Sequence, residues 1–279
     1  MVTVQPVQSV SIIELSAPPP SRGGGEFPIT AGDLIVLSIF SDFIVSIYNA
    51  GLSQVIYNIF FFGGFVGLTI YNLCVCKKYG ISRLKAMLFT VMVYAASVAW
   101  MFVLYWVFTG TWGGNNIVRI FIWVPVFAFP AAKILKLDWL TSCDFISPCL
   151  CINHGIAHLG CIFAGCCYGY PMENGVFSPN TMYKTFPIQP IEALIAIGIA
   201  VYIAIREHKK KYKTDGLSIP VMLMLFGYSR FFLEFARDND KLFWNISELA
   251  LHALLAGIVG TVSYFIVKRI NKKKSVSVQ

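Results

Sequence analysis

Seven apolar stretches, at 55–75, 86–108, 117–135, 145–167, 188–205, 217–235 and 249–267, dominate this chain. Each is long enough to cross the hydrocarbon layer as a helix, which takes about 17–25 residues. The longest linker between them, Tyr168 to Pro187, leaves no room for a soluble domain. Charged residues make up 13% of the chain, against about 25% in an ordinary soluble domain. The expected fold is therefore all-α: a polytopic membrane protein with seven transmembrane helices.

A formal charge of +8 raises the question of a nucleic-acid partner. The basic residues, however, alternate from linker to linker instead of forming one patch. Lys77, Lys78, Arg83 and Lys85 follow the first stretch, Lys133 and Lys136 close the third, Arg206 to Lys213 follow the fifth, and Lys268 to Lys274 end the chain. These blocks hold 16 of the 22 basic residues, so by the positive-inside rule they are cytoplasmic. The N-terminus is then outside and the C-terminus inside. No nucleic acid is expected, and the basic ends meet anionic membrane lipid.

The segment Leu34 to Ala50 is apolar but carries Asp42 and Asn49, and counting it as a span would bring the unbasic N-terminal tail into the cytoplasm. It reads as an interfacial arm. The expected organisation is a flexible leader over 1–30, the arm over 31–54, the seven-helix domain over 55–270 and a basic cytoplasmic tail over 271–279. The leader contains PPP and GGG and lacks the basic and apolar regions of a cleaved signal peptide. The third span holds Pro125 and Pro130, and the fourth holds Gly155, Gly160 and Gly165, a five-residue spacing that permits close packing. The eight cysteines, six of them crowding the fourth span, read as small buried thiols.

Ionisable residues inside a span are expensive and mark sites by default. The stretch FGYSRFFLEFAR places Arg230, Glu234 and Arg237 on one helical face, at i, i+4 and i+7. Given the orientation above, Arg119, Gln189, Glu192 and the His158, Cys161 and Cys166 group all fall near the outer ends of their spans. Arg230 lies roughly 7–8 Å below the outer end of its own span. A cationic cluster at that depth suits a ligand with an anionic head and apolar tails, and the cytoplasmic half shows no comparable set. Two plainer readings stand beside this one. Arg230 and Glu234 form a self-neutralising intrahelical pair with Arg237 snorkelling to the headgroups, or Cys151, His154, His158 and Cys161, a 3-4-3 stripe on the fourth span, ligate a metal with help from other elements.

FGYSRFFLEFAR followed by Asp238 and Asp240, FPIQPIEA at 186–193, and GCIFAGCCYG at 160–169 resemble the prolipoprotein diacylglyceryl transferase family, in the same order and over roughly 52–270. Pro187, Gln189 and Glu192 match the family's His-Pro-x-Gln-x-x-Glu segment, with Phe186 in place of the His. In the fourth-span signature Gly160 and Gly169 agree, while His158 takes the Arg position, Cys161 and Ala164 the two Asn positions, and Cys166 the Glu position. Phe226 stands where the family has a Tyr. The family's His-Gly segment before the third span has no counterpart, and Arg119 is the only charged group there.

The resemblance implies a seven-span protein of the bacterial cytoplasmic (inner) membrane, with its site facing the outer leaflet. It would move a diacylglyceryl group from phosphatidylglycerol to the lipobox cysteine thiol of a preprolipoprotein, releasing glycerol phosphate. The partners are then phosphatidylglycerol and the lipobox peptide. No cofactor and no resident metal are implied. The expected catalytic residues are Arg230, Glu192, His158 and Glu234, and the expected substrate-binding residues are Arg119, Gln189 and Arg237. Arg230 and His158 would hold phosphate, Gln189 and Glu234 orient the site, and Glu192 accept a proton. A homologue that binds or moves lipid without transferring it is the remaining alternative.

Overall fold

The computed structural model describes residues 31–110, 117–238 and 246–276; the leader over 1–30 and the segment over 111–116 lie outside them. Eight helices follow in order: α1 (Ala31–Asn49), α2 (Ser53–Val75), α3 (Arg83–Thr109), α4 (Ile117–Ile134), α5 (Trp139–Ala164), α6 (Ile188–Lys209), α7 (Ser218–Glu234) and α8 (Glu248–Val276). α2 to α8 correspond one to one with the seven apolar stretches. Their ends differ where local chemistry overrides hydropathy. The Asp138 side chain accepts from Thr141 N at 2.8 Å and starts α5 six residues before its apolar run, while Gly165, at φ 69, stops it. α8 runs on past 267 because helix hydrogen bonds are indifferent to the charge of the side chains they carry.

Five of these helices are long and apolar enough to span, within Ser53–Tyr79, Arg83–Val107, Trp139–Ala164, Ile188–Lys209 and Glu248–Lys273, which makes this a multi-pass membrane protein. α4 and α7 are shorter, at 18 and 17 residues. At 1.5 Å per residue α7 reaches only about 26 Å. It ends where Glu234 meets a polar cluster described below.

α5 is the central post. Buried positions fill 72% of its apolar window, against 28% in α2, α3 and α8. Steps of five residues rotate a helical position by about 140°, so its three glycines address three different neighbours. A Cβ on Gly155 would lie 3.1 Å from the Ala193 carbonyl of α6, and one on Gly160 would lie 3.0 Å from the Tyr57 carbonyl of α2. Gly165 abuts the backbone of Pro179 and Asn180. Phe89, Phe121, Phe145 and Phe226, from α3, α4, α5 and α7, fill the apolar core around it.

The expectation of an all-α chain is corrected in the long linker. There β1 (Pro171–Ser178) pairs antiparallel with β2 (Tyr183–Thr185), in a register that sets Phe177 opposite Lys184 and Ser178 opposite Tyr183. The Gly, Asn and Pro content that signalled turns belongs to the hairpin's bulge and loop. The sheet is held from outside: Ser41 of α1 accepts from Phe177 N at 3.0 Å, and Ile44 and Ile47 pack with Ile162, Phe163, Val176 and Phe177. The opposite face of α1 leaves Ile35, Val36, Ile39 and Phe43 exposed.

A second correction concerns the half with the basic linkers, which the sequence reading leaves without a buried polar set. Glu207 near the end of α6 is 0% exposed. It accepts from Tyr79 Oη at 3.0 Å and from Ser218 Oγ, and pairs with Lys210 at 2.8 Å and Arg206 at 3.2 Å. Asp144 of α5 accepts from the backbone N–H groups of Asp215, Gly216 and Ser218 at 2.9–3.1 Å, so it caps the start of α7 from a different helix. The net basic run 206–213 masks Glu207, and the partners of Asp144 are about seventy residues away along the chain.

Candidate active site

The chain after α7 carries the site inward. Phe235–Arg237 forms a turn in which Arg237 N donates to Glu234 O at 3.2 Å. Tyr170 N, in the linker after α5, donates to Ala236 O at 3.1 Å, and Gly169 pairs with Arg237 in an isolated antiparallel bridge. These main-chain bonds hold the Arg237 side chain over α5 and α6. A Cβ at Gly169 would meet the Phe186 carbonyl at 2.6 Å and the Ala236 carbonyl at 3.0 Å, so only glycine permits this approach.

Glu192 of α6 is the hub. Its Oε1 lies 3.0 Å from His154 Nε2 and 3.1 Å from Arg230 Nε; its Oε2 lies 3.2 Å from His158 Nε2 and bonds Arg237 Nη2. Arg230 Nη1 also donates to Glu234 Oε2, and Ser247 Oγ donates to Glu234 Oε1 at 2.8 Å. All six ionisable groups are at most 6% exposed. The network joins α5, α6, α7, the turn after α7 and the residue before α8.

Charge accounting corrects the picture of a free cationic cluster. Two guanidinium groups face two carboxylates, so with neutral imidazoles the set sums to zero. Isolated charges at this depth would be costly, and mutual pairing with good geometry is the condition under which they persist. Arg230 and Glu234 do pair along one helix, yet Arg230 also reaches across to α6. Arg237 does not snorkel outward; it bonds Glu192 and lies 3.2 Å from His158 Nε2. That imidazole nitrogen donates to Glu192 or accepts from Arg237, not both at once.

Of the seven residues expected from sequence, Arg230, Glu234, Arg237, Glu192 and His158 meet in this network. Gln189 stands beside it: its Nε2 donates to the Cys166 carbonyl at 3.0 Å. Arg119 is on α4, with its side chain outside the described residues, as is Asp240. His154 was read only as one member of a metal stripe, although its spacing of four residues before His158 already placed both imidazoles on one face. Their ring centroids are 4.9 Å apart, with Phe226 edge-on to His154. Ser247 carried no sequence signal, because it joins the network only through the return of the chain to α8.

The network walls one side of a cavity of about 640 Å³. The rest of the wall is mainly aromatic and apolar, including Tyr57, Phe61 and Phe65 of α2 and Tyr94 and Phe102 of α3. Cys161, Cys166 and Cys167 line it too, and all eight cysteines are free thiols. Among the described residues two metal-capable groups occur here. His154, His158 and Glu192 form one, but two guanidinium groups already occupy the Glu192 oxygens. His158, Cys161 and Cys167 form the other, with their ligand atoms within 4.8 Å of one another. Cys151 of the expected stripe belongs to neither, because at 0% exposure it packs in the apolar core.

Comparison with known proteins bears on this geometry. The chain is 26% identical over 159 residues to phosphatidylglycerol–prolipoprotein diacylglyceryl transferase 1 of Clostridium perfringens, covering 53% of this chain and 60% of that protein. It is 25% identical over 116 residues to transferase 2 of the same organism, covering 38% and 44%. It is 23% identical over 141 residues to the Clostridium tetani phosphatidylglycerol–prolipoprotein diacylglyceryl transferase, covering 47% and 55%. The chain thus spans about half the length of the curated relatives it matches. The family's sequence profile covers residues 94–267, more than half of the chain and all of the elements that build the Glu192 network, and this chain belongs to the prolipoprotein diacylglyceryl transferase family.

Proposed function

We propose that this protein transfers the diacylglyceryl group of phosphatidylglycerol to the lipobox cysteine thiol of a preprolipoprotein. The observation that carries the reading is the Glu192 network itself. It presents two fixed guanidinium groups to a cavity whose other walls are apolar. An arginine fork matches phosphate oxygens, and apolar walls accommodate the start of the acyl chains.

The thiol attacks a glyceryl carbon, a C–S bond forms, the C–O bond to phosphate breaks, and glycerol phosphate leaves with the electron pair. Negative charge grows on the departing oxygen, so donors fixed in place before reaction give more there than in the ground state. We assign that role to Arg230 and His158, with Arg237 and Arg119 holding the headgroup. Glu234 and Gln189 orient the site, Gln189 through the Cys166 carbonyl. Glu192 accepts from four side chains, which fills its lone pairs. Its part is to position the guanidinium and imidazole groups, and any proton it takes from the thiol requires one of those bonds to open.

We further assign seven spans, with the N-terminus out and the site at the outer leaflet of a bacterial inner membrane. Supporting this, the basic blocks gather at the opposite end of the bundle: Lys78 meets Tyr212 at 3.3 Å, and Asn271 meets the Asp215 carbonyl at 2.8 Å. Glu192 and Glu207, fifteen residues apart on α6, lie about 22 Å apart along the axis.

The test is purified protein incubated with phosphatidylglycerol vesicles and a lipobox peptide, with mass spectrometry of the peptide. The expected product is the peptide plus one diacylglyceryl group, lost in Arg230→Ala. Phosphatidylglycerol binding without any thioether product, or full transfer by Arg230→Ala, overturns the reading or the assignment respectively.

A further inference from the structure

Three of the groups lining the cavity are a metal-ligand set, and none of the steps above uses their sulfurs. His158 and Cys161 lie one turn apart on α5, and Cys167 returns to them from the turn that ends the helix. A zinc-class ion with bonds of about 2.0–2.3 Å holds its ligand atoms roughly 3.5–3.8 Å apart. Atoms already within 4.8 Å need to draw in by about an ångström or less.

The turn is built to keep Cys167 there. Gly165 and Cys167 both have positive φ, 69° and 59°. The second is a conformation that a side chain with Cβ adopts at a cost and that concentrates at functional sites. Ser178 Oγ donates to the Gly165 carbonyl at 3.2 Å, and the buried Gln189 amide donates to the Cys166 carbonyl at 3.0 Å. The hairpin and α6 therefore brace the turn from two sides. His158 Nε2 lies 3.2 Å from Glu192 Oε2. Coordination through the other ring nitrogen would leave that bond intact, which is the usual way a carboxylate orients a ligating imidazole. Arg237, bonded to the same carboxylate, offsets the charge of two thiolates.

We propose that His158, Cys161 and Cys167 bind a zinc-class divalent cation, and that its open fourth position takes the acceptor cysteine thiol. The inference rests on the transferase reading and supplies its nucleophile. Three protein ligands with one open position are the hallmark of a catalytic zinc site, whereas structural sites are closed. A coordinated thiol is deprotonated outright. On binding, Cys161 and Cys167 each release a proton. The acceptor thiol then loses its proton to water at the cavity mouth as its sulfur joins the metal. That sulfur attacks the glyceryl carbon, the C–O bond to phosphate breaks, and the neutral thioether dissociates from the metal. No group is oxidised or reduced.

The experiment uses the full chain in detergent, loaded with Zn²⁺, or with Co²⁺ for absorption spectroscopy. About one equivalent should be retained after desalting by the protein and by a Cys74→Ser control, and lost in Cys161→Ser and Cys167→Ser variants that elute as monodisperse protein. A lipobox peptide should intensify the sulfur-to-cobalt charge-transfer band, and its Cys→Ser version should not. Transfer should cease on chelation and return with Zn²⁺. No retained metal, equal retention by both serine variants, a band indifferent to the peptide thiol, or a Cys161–Cys166 or Cys161–Cys167 disulfide in the purified protein each overturns the proposal. Full transfer by chelated protein overturns it while leaving the transferase reading intact. Metal and peptide thiol bound without thioether product uphold the site and overturn the transferase reading.

Discussion

Replacing Glu192 by Gln tests whether the network is the electrostatic keystone its geometry implies. The substitution keeps the volume of the side chain, removes one negative charge, and turns an NH₂ donor toward a set of donors. Two guanidinium groups then face a single carboxylate, Glu234, so the buried set moves from zero to +1. Because every member is at most 6% exposed, solvent provides little relief. Breaking a buried ion pair from one side costs about 3–5 kcal/mol, or roughly two to four powers of ten in the folding equilibrium. Unfolding of the detergent-solubilised protein in mixed micelles, followed by tryptophan fluorescence, measures it. A second arm gives the sharper result. Adding Arg237→Gln to Glu192→Gln restores neutrality, so the double variant should lose less than the sum of the singles, by about 1–3 kcal/mol. A Glu192→Gln protein as stable as wild type, or strictly additive losses, would refute the keystone reasoning.

Two further outcomes follow from packing and from the opposite polar cluster. Gly227→Ala puts a Cβ 2.8 Å from the Ala253 carbonyl across the α7–α8 crossing, and should cost about 1–3 kcal/mol in the same unfolding assay; Gly198→Ala, with nothing within 4 Å, should stay near wild type and is the control. Tyr79→Phe removes the 3.0 Å donor to the fully buried Glu207 and should cost about 1–3 kcal/mol, while transfer per folded molecule, measured by the peptide mass assay, is unchanged because the site lies at the other end of α6.

Much of the helical framework was legible because hydropathy and helix signals act locally. The apolar run at 188–205 marks α6, and Ser82, Asp138, Gly110 and Gly165 act as caps within a turn of themselves. Glu192, Arg230 and Glu234 stood out because ionisable groups in apolar runs demand partners. His154 and Ser247 were harder, since an imidazole on an apolar face or a serine before a helix is unremarkable until a carboxylate from elsewhere meets it. The β1–β2 hairpin escaped for a similar reason: its strands are short and irregular, and they hold together through Ser41, Ile44 and Ile47 of a helix more than a hundred residues earlier.

Sequence by itself determined that the chain crosses a membrane repeatedly, where the helices begin and end to within a few residues, and which charges would need company. Those are consequences of transfer energies and hydrogen bonds between near neighbours. Tertiary structure alone decided the pairings: that Arg230 and Arg237 share Glu192 and form a neutral set, that Glu207 and Asp144 lock the other end, and that Gln189 braces the cysteine turn. Such pairings depend on the rotation of each helix about its axis. That rotation is set by close contacts such as Gly155 on Ala193 and Gly160 on Tyr57, which no single helix's sequence encodes.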